Sequence, residues 1–223
     1  MDNLCITFNF EEAIALSDAP PLFDDIIAAA AVNEATNNGT LDDDFSVINE
    51  LPIENWKADD TWGYMASYLM FEWYSPVFNT AIRGRTNVNS IVELKNSGLL
   101  NYKSKNLPDT SRGAYKNYDL RLFHRYAEKA KAYCIGDAER IEELLMEISH
   151  IGPKRRLGFG KIADFNIEKI KNSDEWMHRP LPISMRDNGK FVAYNPRPPY
   201  WFKKTPNHDG YIMQTLPDDS LNY

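Results

Sequence analysis

Between residues 129 and 168 the apolar period changes twice, and that change constrains the fold more than any other feature of the chain. Lys129, Lys131, Tyr133 and Ile135 alternate with Ala130, Ala132 and Cys134, a period of two that suits a strand. Asp137 then stands where a helix N-cap belongs, and Ile141, Leu144, Leu145 and Ile148 recur at helical spacing, with Glu142, Glu143 and Glu147 elsewhere around the helix. Ile151-Gly152 followed by Pro153 ends it. The period then returns to two, with Ala163, Phe165 and Ile167 alternating with Asp164, Asn166 and Glu168.

The first part of the chain carries a matching order. Leu4, Ile6, Phe8 and Phe10 alternate with Cys5, Thr7 and Asn9, which predicts a half-buried strand over residues 4–10. After Pro20-Pro21, residues 22–35 read as a helix whose first turn holds Asp24 and Asp25, favourable to the helix dipole, and Asn37-Asn38-Gly39 ends it. Residues 36–60 are acidic and loop-like. Residues 64–74, rich in Tyr64, Tyr68, Phe71, Trp73 and Tyr74, read as a buried strand, with a helix as the alternative, and residues 79–118 as an insertion or extended hairpin. The order strand, helix, strand, insertion, strand, helix, strand predicts an α+β fold with a ferredoxin-like (RRM-like) βαββαβ core over residues 1–174. Residues 175–223, rich in proline and aromatic residues, are expected to wrap the same domain as an ordered tail, because Trp176, Tyr200, Trp201 and Phe202 are poorly suited to solvent.

No stretch approaches the roughly 20 apolar residues that cross a bilayer, and the acidic N-terminus lacks the basic segment of a secretory signal. Cys5 and Cys134 cannot form a disulfide framework. The expectation is a soluble, cytoplasmic protein without a membrane partner. The formal net charge of −7 is unevenly spread. Residues 1–79 hold Lys57 as their one basic residue against 15 acidic ones, whereas residues 80–161 hold 16 Lys and Arg against 9 Asp and Glu. A basic segment in an acidic chain points to a localised polyanion site, with a solvated face or internal docking of the two segments as the alternatives.

The run Ile151-Gly152-Pro153-Lys154-Arg155-Arg156-Leu157-Gly158-Phe159-Gly160-Lys161 is the most specific chemistry in the sequence. Its three glycines allow positive φ and close approach of backbone to a ligand, and four cations surround them. Exposed amides in such a loop form an anion nest, which together with guanidinium groups suits a phosphodiester. A dinucleotide fingerprint is a poor fit, since these glycines follow a helix and precede a strand.

A helix, this Ile-Gly-Pro-Lys-Arg-Arg-Leu-Gly-Phe-Gly-Lys-Ile run and a final strand resemble the signature of the repeat-associated (RAMP) superfamily of CRISPR proteins, RNA-binding relatives of the RNA-recognition motif. Pro21-Leu22-Phe23-Asp24-Asp25-Ile26-Ile27-Ala28 resembles the opening pattern of the smaller, group-five backbone subunit of type IV CRISPR complexes, departing from it at Phe23 and Asp25. Arg197-Pro198-Pro199-Tyr200-Trp201 resembles that family's tail. The resemblance implies a non-catalytic guide-RNA-binding subunit that caps the 5′ handle of the crRNA in a class 1, type IV-like effector complex, uses no cofactor and contacts the backbone and large subunits. Target DNA near the PAM is a further candidate partner. The residues expected at RNA are Gly152, Lys154, Arg155, Arg156, Gly158, Phe159, Gly160 and Lys161 in the loop. A thumb-like insertion would add Arg83, Arg85, Lys103, Lys105, Arg112 and Lys116, with Lys95 nearby and Tyr102, Tyr115 and Tyr118 interleaved for base stacking. Lys129 and Lys131 of the third core strand complete the set.

Some relatives cleave RNA with a histidine or tyrosine base. Here His150, just before the glycine-rich loop, is the best candidate base and His124 the next, while His178 and His208 have no partner at a recognisable spacing. A helix-terminal histidine complementing the dipole is the plainer reading of His150. No CxxC, HExxH or clustered His/Cys pair suggests a metal. The expectation is a binding protein. A metal-independent endoribonuclease that processes repeat RNA is the alternative, and a protein-interaction domain the third reading.

Overall fold

The computed structural model describes residues 1–17, 19–43, 45–99, 109–112, 116–171, 174–186, 188–200 and 208–212, with 211 and 212 described by backbone alone. In chain order the elements are β1 (Asp2–Phe10), β2 (Ile14–Ala15), α1 (Phe23–Asn37), β3 (Asn55–Ala58), β4 (Thr61–Tyr64), β5 (Met70–Trp73), β6 (Phe78–Gly84), α2 (Val88–Asn96), β7 (Tyr118–Arg125), β8 (Ala127–Gly136), α3 (Ala138–Met146), β9 (Ile162–Lys169), β10 (Leu181–Pro182), β11 (Lys190–Tyr194) and β12 (His208–Ile212). The protein is therefore mixed α+β with antiparallel sheets. No helix among the described residues is long and apolar enough to cross a membrane.

The central sheet runs β5-β8-β1-β9 with every neighbour antiparallel. Register follows the alternation in the sequence: Leu4, Ile6 and Phe8 lie opposite Cys134, Ala132 and Ala130, so all six point to one face. That face is the core. Phe23, Ile26, Ile27 and Ala30 of α1 and Ile141, Leu144 and Leu145 of α3 close over it. Each such side chain taken fully out of water contributes roughly 1.5–3 kcal/mol. The other face carries Thr7, Asn9, Lys129, Lys131, Asn166 and Asp164. Cys5 and Cys134 are buried, unlinked and on opposite faces.

Residues 64–74 do not form one strand. Between β4 and β5 the amides are bonded to other segments: Met65 N to Glu54 O, Ser67 N to Tyr133 O, Tyr68 N to His178 O and Leu69 N to Pro21 O. With its donors directed outward in this way the stretch acts as a junction. Helix α3 is capped as its sequence predicts, the Asp137 side chain accepting from the amides of Glu139 and Arg140. It ends at Met146 rather than near residue 151, because Glu147 and Ile148 bond back three residues and tighten the last turn.

Val77–His124 form a second compact unit. Within it β6 and β7 make an antiparallel hairpin from Phe78↔His124 to Gly84↔Tyr118. The short helix α2 inside it, capped by the Asn87 side chain accepting from Ser90 N at 3.2 Å, is not evident in a stretch so rich in polar residues. Lys103, Lys105, Tyr102 and Tyr115 lie outside the described residues.

In the described part of the tail, Trp176 and Leu181 are buried together with Trp56 in a second small core. The tail also builds a sheet, β10-β12-β11, that no periodicity in the sequence announces. Trp201 and Phe202 lie outside the described residues. The Arg197 guanidinium sits 4.2 Å from the centroid of the Trp62 ring. Arg179 is wholly buried. Its Nη1 donates to Asp24 Oδ2 (3.1 Å), Tyr64 O (2.6 Å) and Ala66 O (3.1 Å), and its Nη2 to Pro196 O (2.9 Å) and the Tyr200 hydroxyl (3.1 Å). Tyr200 in turn donates to the same Asp24 oxygen at 2.9 Å. Replacing Arg179 by methionine leaves the buried Asp24 carboxylate without its cation and takes a donor from the Tyr64, Ala66 and Pro196 carbonyls. The expected loss is about 3–5 kcal/mol of unfolding free energy in urea denaturation, and a loss below about 1 kcal/mol would show that the network is not what holds the tail.

Candidate nucleic-acid interface

The glycine-rich loop between α3 and β9 has a closed neck and an open tip. At the neck, His150 and Lys161 face each other as an isolated bridge, with Ile151 N donating to Gly160 O (2.8 Å) and Ile162 N to Ser149 O (3.0 Å). The segment after β1 anchors the same neck: Gly160 N donates to Ala13 O at 2.8 Å and Glu11 N to Lys161 O at 3.0 Å. Gly160 is required there, since a Cβ on it would lie 1.8 Å from Ile151 O and its φ is +71°.

The tip turns through Lys154, which is left-handed at φ 61°, into a single 3-10 turn, Arg155–Leu157. Leu157 N bonds Lys154 O (2.8 Å) and Gly158 N bonds Arg155 O (2.9 Å). A left-handed residue followed by right-handed ones aims consecutive amides into one concavity. The amides of Lys154, Arg155 and Arg156 donate to no acceptor among the described residues. Their side chains are exposed and make no ion pair among those residues. Leu157 is 51% exposed beside them and Phe159 is half-buried. Donors and uncompensated charge thus share one surface, the arrangement an oxyanion-rich polymer requires.

The other expected contacts are placed less favourably. Lys161 is paired with Glu11, whose hydrogen bond and charge raise its pKa. Lys129 and Lys131 lie on the open sheet face and share Glu72, at 3.2 and 3.4 Å, and the pair holds that carboxyl below its usual range. In the second unit Arg83 pairs with Asp119 (3.1 Å) and Arg112 with Asp109 (2.7 Å). Arg85 and Lys116 are exposed, and the Tyr118 ring, 54% exposed, lies across Gly84, where a Cβ would meet its Cε1 at 2.2 Å. Arg83, Arg85, Asn117 and Tyr118 line an open depression of about 280 Å³.

Of the histidines, His124 stacks on Phe78 with centroids 5.6 Å apart. His178 meets Glu175 at 3.0 Å, and His208 pairs with Tyr194 in β11. His150 Nδ1 shares a 2.8 Å hydrogen bond with Ser149 Oγ at the loop neck. Among the described residues no three His, Cys, Asp or Glu side chains are grouped to hold a metal.

Sequence reasoning missed the burial of acid at the start of α1. Asp24 is wholly buried against Arg179, and in the partly buried Asp25 one oxygen, Oδ1, is enclosed without a hydrogen-bond partner among the described residues. Burial first, then the Asp24 charge, push the Asp25 carboxyl up to about 7, with Arg155 opposing them. The signal that was present is the Asp-Asp pair set directly in an apolar helix, Phe23 through Ala31. For the loop, Gly160→Ala is expected to cost about 3 kcal/mol or more and Gly158→Ala, whose Cβ would meet open space, about 1–2 kcal/mol. Equal denaturation midpoints for the two variants would contradict the closed neck.

The chain matches the family described as CRISPR type IV associated protein Csf3 over residues 2–212. No curated protein matches the chain. The match spans both segments whose motifs resemble the type IV subunit, residues 21–28 and 197–201, and the Arg179 network ties those segments together through Asp24, Pro196 and Tyr200. The chain belongs to the CRISPR type IV associated protein Csf3 family.

Proposed function

We propose that this protein is a non-catalytic guide-RNA-binding subunit of a type IV CRISPR complex, capping the 5′ handle of the crRNA with its glycine-rich loop. The observation that carries the reading is the loop tip, where three cations without an ion-pair partner among the described residues flank amides without acceptors among them, above a neck that hydrogen bonds hold closed. Family membership supplies the CRISPR setting. The strand order β5-β8-β1-β9, with α1 and α3 on one face, supports a ferredoxin-like core of the RAMP kind, in which this loop follows the second core helix. The hairpin unit is the proposed thumb, where Arg85, Lys116 and the exposed Tyr118 ring suit a single strand: cations follow phosphates while rings stack on bases. Neighbouring backbone and large subunits, and target DNA near the PAM, are its proposed further contacts.

Replacing Arg155 and Arg156 together by alanine is expected to weaken binding to single-stranded repeat RNA by about 1–3 kcal/mol per lost charge-assisted contact. The salt dependence should become shallower, with the fold unchanged by circular dichroism. Unchanged affinity in the double variant would remove the loop from the RNA interface. Incubation with unprocessed repeat RNA in EDTA is expected to give no cleavage. A discrete product that disappears in His150→Ala would replace the scaffold reading by the endoribonuclease one.

A further inference from the structure

Phe10 at the end of β1, Ile162 at the start of β9, Ala127 at the start of β8 and Trp73 at the end of β5 lie at the same end of the central sheet, because every pairing in it is antiparallel. The glycine-rich loop enters β9 at that end. At the other side of the same end, around β5, the chain builds an aromatic cluster. Phe10 packs on Phe71 with centroids 6.0 Å apart, and Phe71 stacks on Trp73 at 4.6 Å and 22°. The Arg125 guanidinium lies over the Trp73 ring, 5.1 Å from its centroid, so that ring is already engaged. Tyr74 differs. It is 68% exposed, with Tyr126 behind it at 6.2 Å between centroids. Three hydrogen bonds fix the backbone there: Tyr74 N donates to Tyr126 O (3.2 Å), Tyr126 N to Ser75 Oγ (2.8 Å) and Arg125 Nε to Ser75 O (2.7 Å). A ring held by its neighbours yet open to water has little freedom to lose when a flat partner covers it.

We propose that Tyr74 is a stacking platform for one unpaired base of the guide RNA strand whose phosphates lie on the glycine-rich loop. The inference rests on the RNA-binding reading of that loop and adds a second, chemically different contact. From β9 to β5 the sheet end spans three strand spacings, roughly 15 Å, so a few nucleotides of single strand reach from the loop to Tyr74. The two places divide the work. The loop tip presents amides and cations, which suit phosphate, whereas Tyr74 presents a π-face, which any base can cover while the phenol hydroxyl stays in water. Arg125, fixed on Trp73 and by Ser75 O, adds a cation beside the platform, as a phosphate chain running past it requires. The occupant is a base from a single strand, because bases paired inside a duplex are stacked on one another and offer no face to a protein ring.

The test is filter binding of labelled single-stranded CRISPR repeat RNA to the full chain, with wild type, Tyr74→Ala and Tyr74→Phe. The RNA is used intact and with one position at a time made abasic. Tyr74→Ala is expected to weaken binding of intact RNA by about five- to fiftyfold, and Tyr74→Phe, which keeps the ring, to stay within about twofold of wild type. At one position, removing the base should cost wild type a comparable factor and Tyr74→Ala almost nothing, because its partner is already gone. The salt dependence should be the same in Tyr74→Ala as in wild type, since no phosphate contact is lost. Wild-type affinity in Tyr74→Ala would overturn the proposal. So would a weakened Tyr74→Ala that loses affinity at every abasic position as wild type does, the mark of a structural role. A second measurement needs no substitution: RNA carrying 4-thiouridine at the sensitive position is irradiated on the wild-type protein and the crosslinked peptide is mapped. A crosslink to Tyr74 is expected, and crosslinks confined to other segments would overturn the assignment. Weakened binding by the Arg155/Arg156 double variant together with unaltered binding by Tyr74→Ala rejects Tyr74 alone. Unchanged binding by the double variant rejects the loop reading itself.

Discussion

A guanidinium sealed inside the protein organises most of what surrounds it. Moving a bare cation out of water costs several kcal/mol, so Arg179 is tolerable only because acceptors converge on it from separate parts of the chain. Asp24 comes from the start of α1, Tyr64 and Ala66 from the junction between β4 and β5, and Pro196 and Tyr200 from the tail. Arg186 then fixes the turn that presents Arg179, donating to the Arg179 and Met177 carbonyls at 3.1 and 2.7 Å. The entry of α1 is thereby pinned. Leu22, the residue just before it, offers no side-chain cap, so the position of the first turn depends on this tertiary tie.

The buried ion pair is thus a positioning device for the start of α1 as much as a source of stability. The neck of the glycine-rich loop is fixed by backbone contacts instead. Gly160 lets Ile151 O pass where any side chain would stand, so the tip projects from a fixed base. A tip on a fixed base has less entropy to lose on binding than a mobile one.

What the sequence made legible follows from periodicity. β1, β8 and β9 alternate because one sheet face is core and the other is not, and the glycine-rich loop stands out because its composition has few other uses. The misses also have physical causes. Residues 65–69 look like strand because they are apolar and aromatic, yet their amides serve several different segments, which no local pattern encodes. The tail strands β10–β12 are short and held by Trp56, Trp176 and Leu181, contacts distant in sequence. Asp24 and Asp25 match the rule for helix starts and obey a different one, since burial is a property of the assembled fold. The cations of residues 80–161 could be counted but not sorted, because their partners Glu72, Asp119 and Glu11 are brought to them by strand pairing and loop closure.

That sorting bears on which surface of an acidic chain can approach an acidic polymer. On the open sheet face, a phosphate nearing Lys129 or Lys131 would have to displace Glu72, with Asp164 two strands away on the same side. An exposed pair of this kind is weak in itself, of order 1 kcal/mol or less, but the carboxylate stays in place after the exchange and keeps repelling. Among the described residues the cations of the loop tip need no such exchange, because none of Lys154, Arg155 and Arg156 is held in an ion pair there. Charge sorted in this way, with several cations of residues 80–161 paired and the tip left open, lets a protein of net charge −7 present a locally cationic surface.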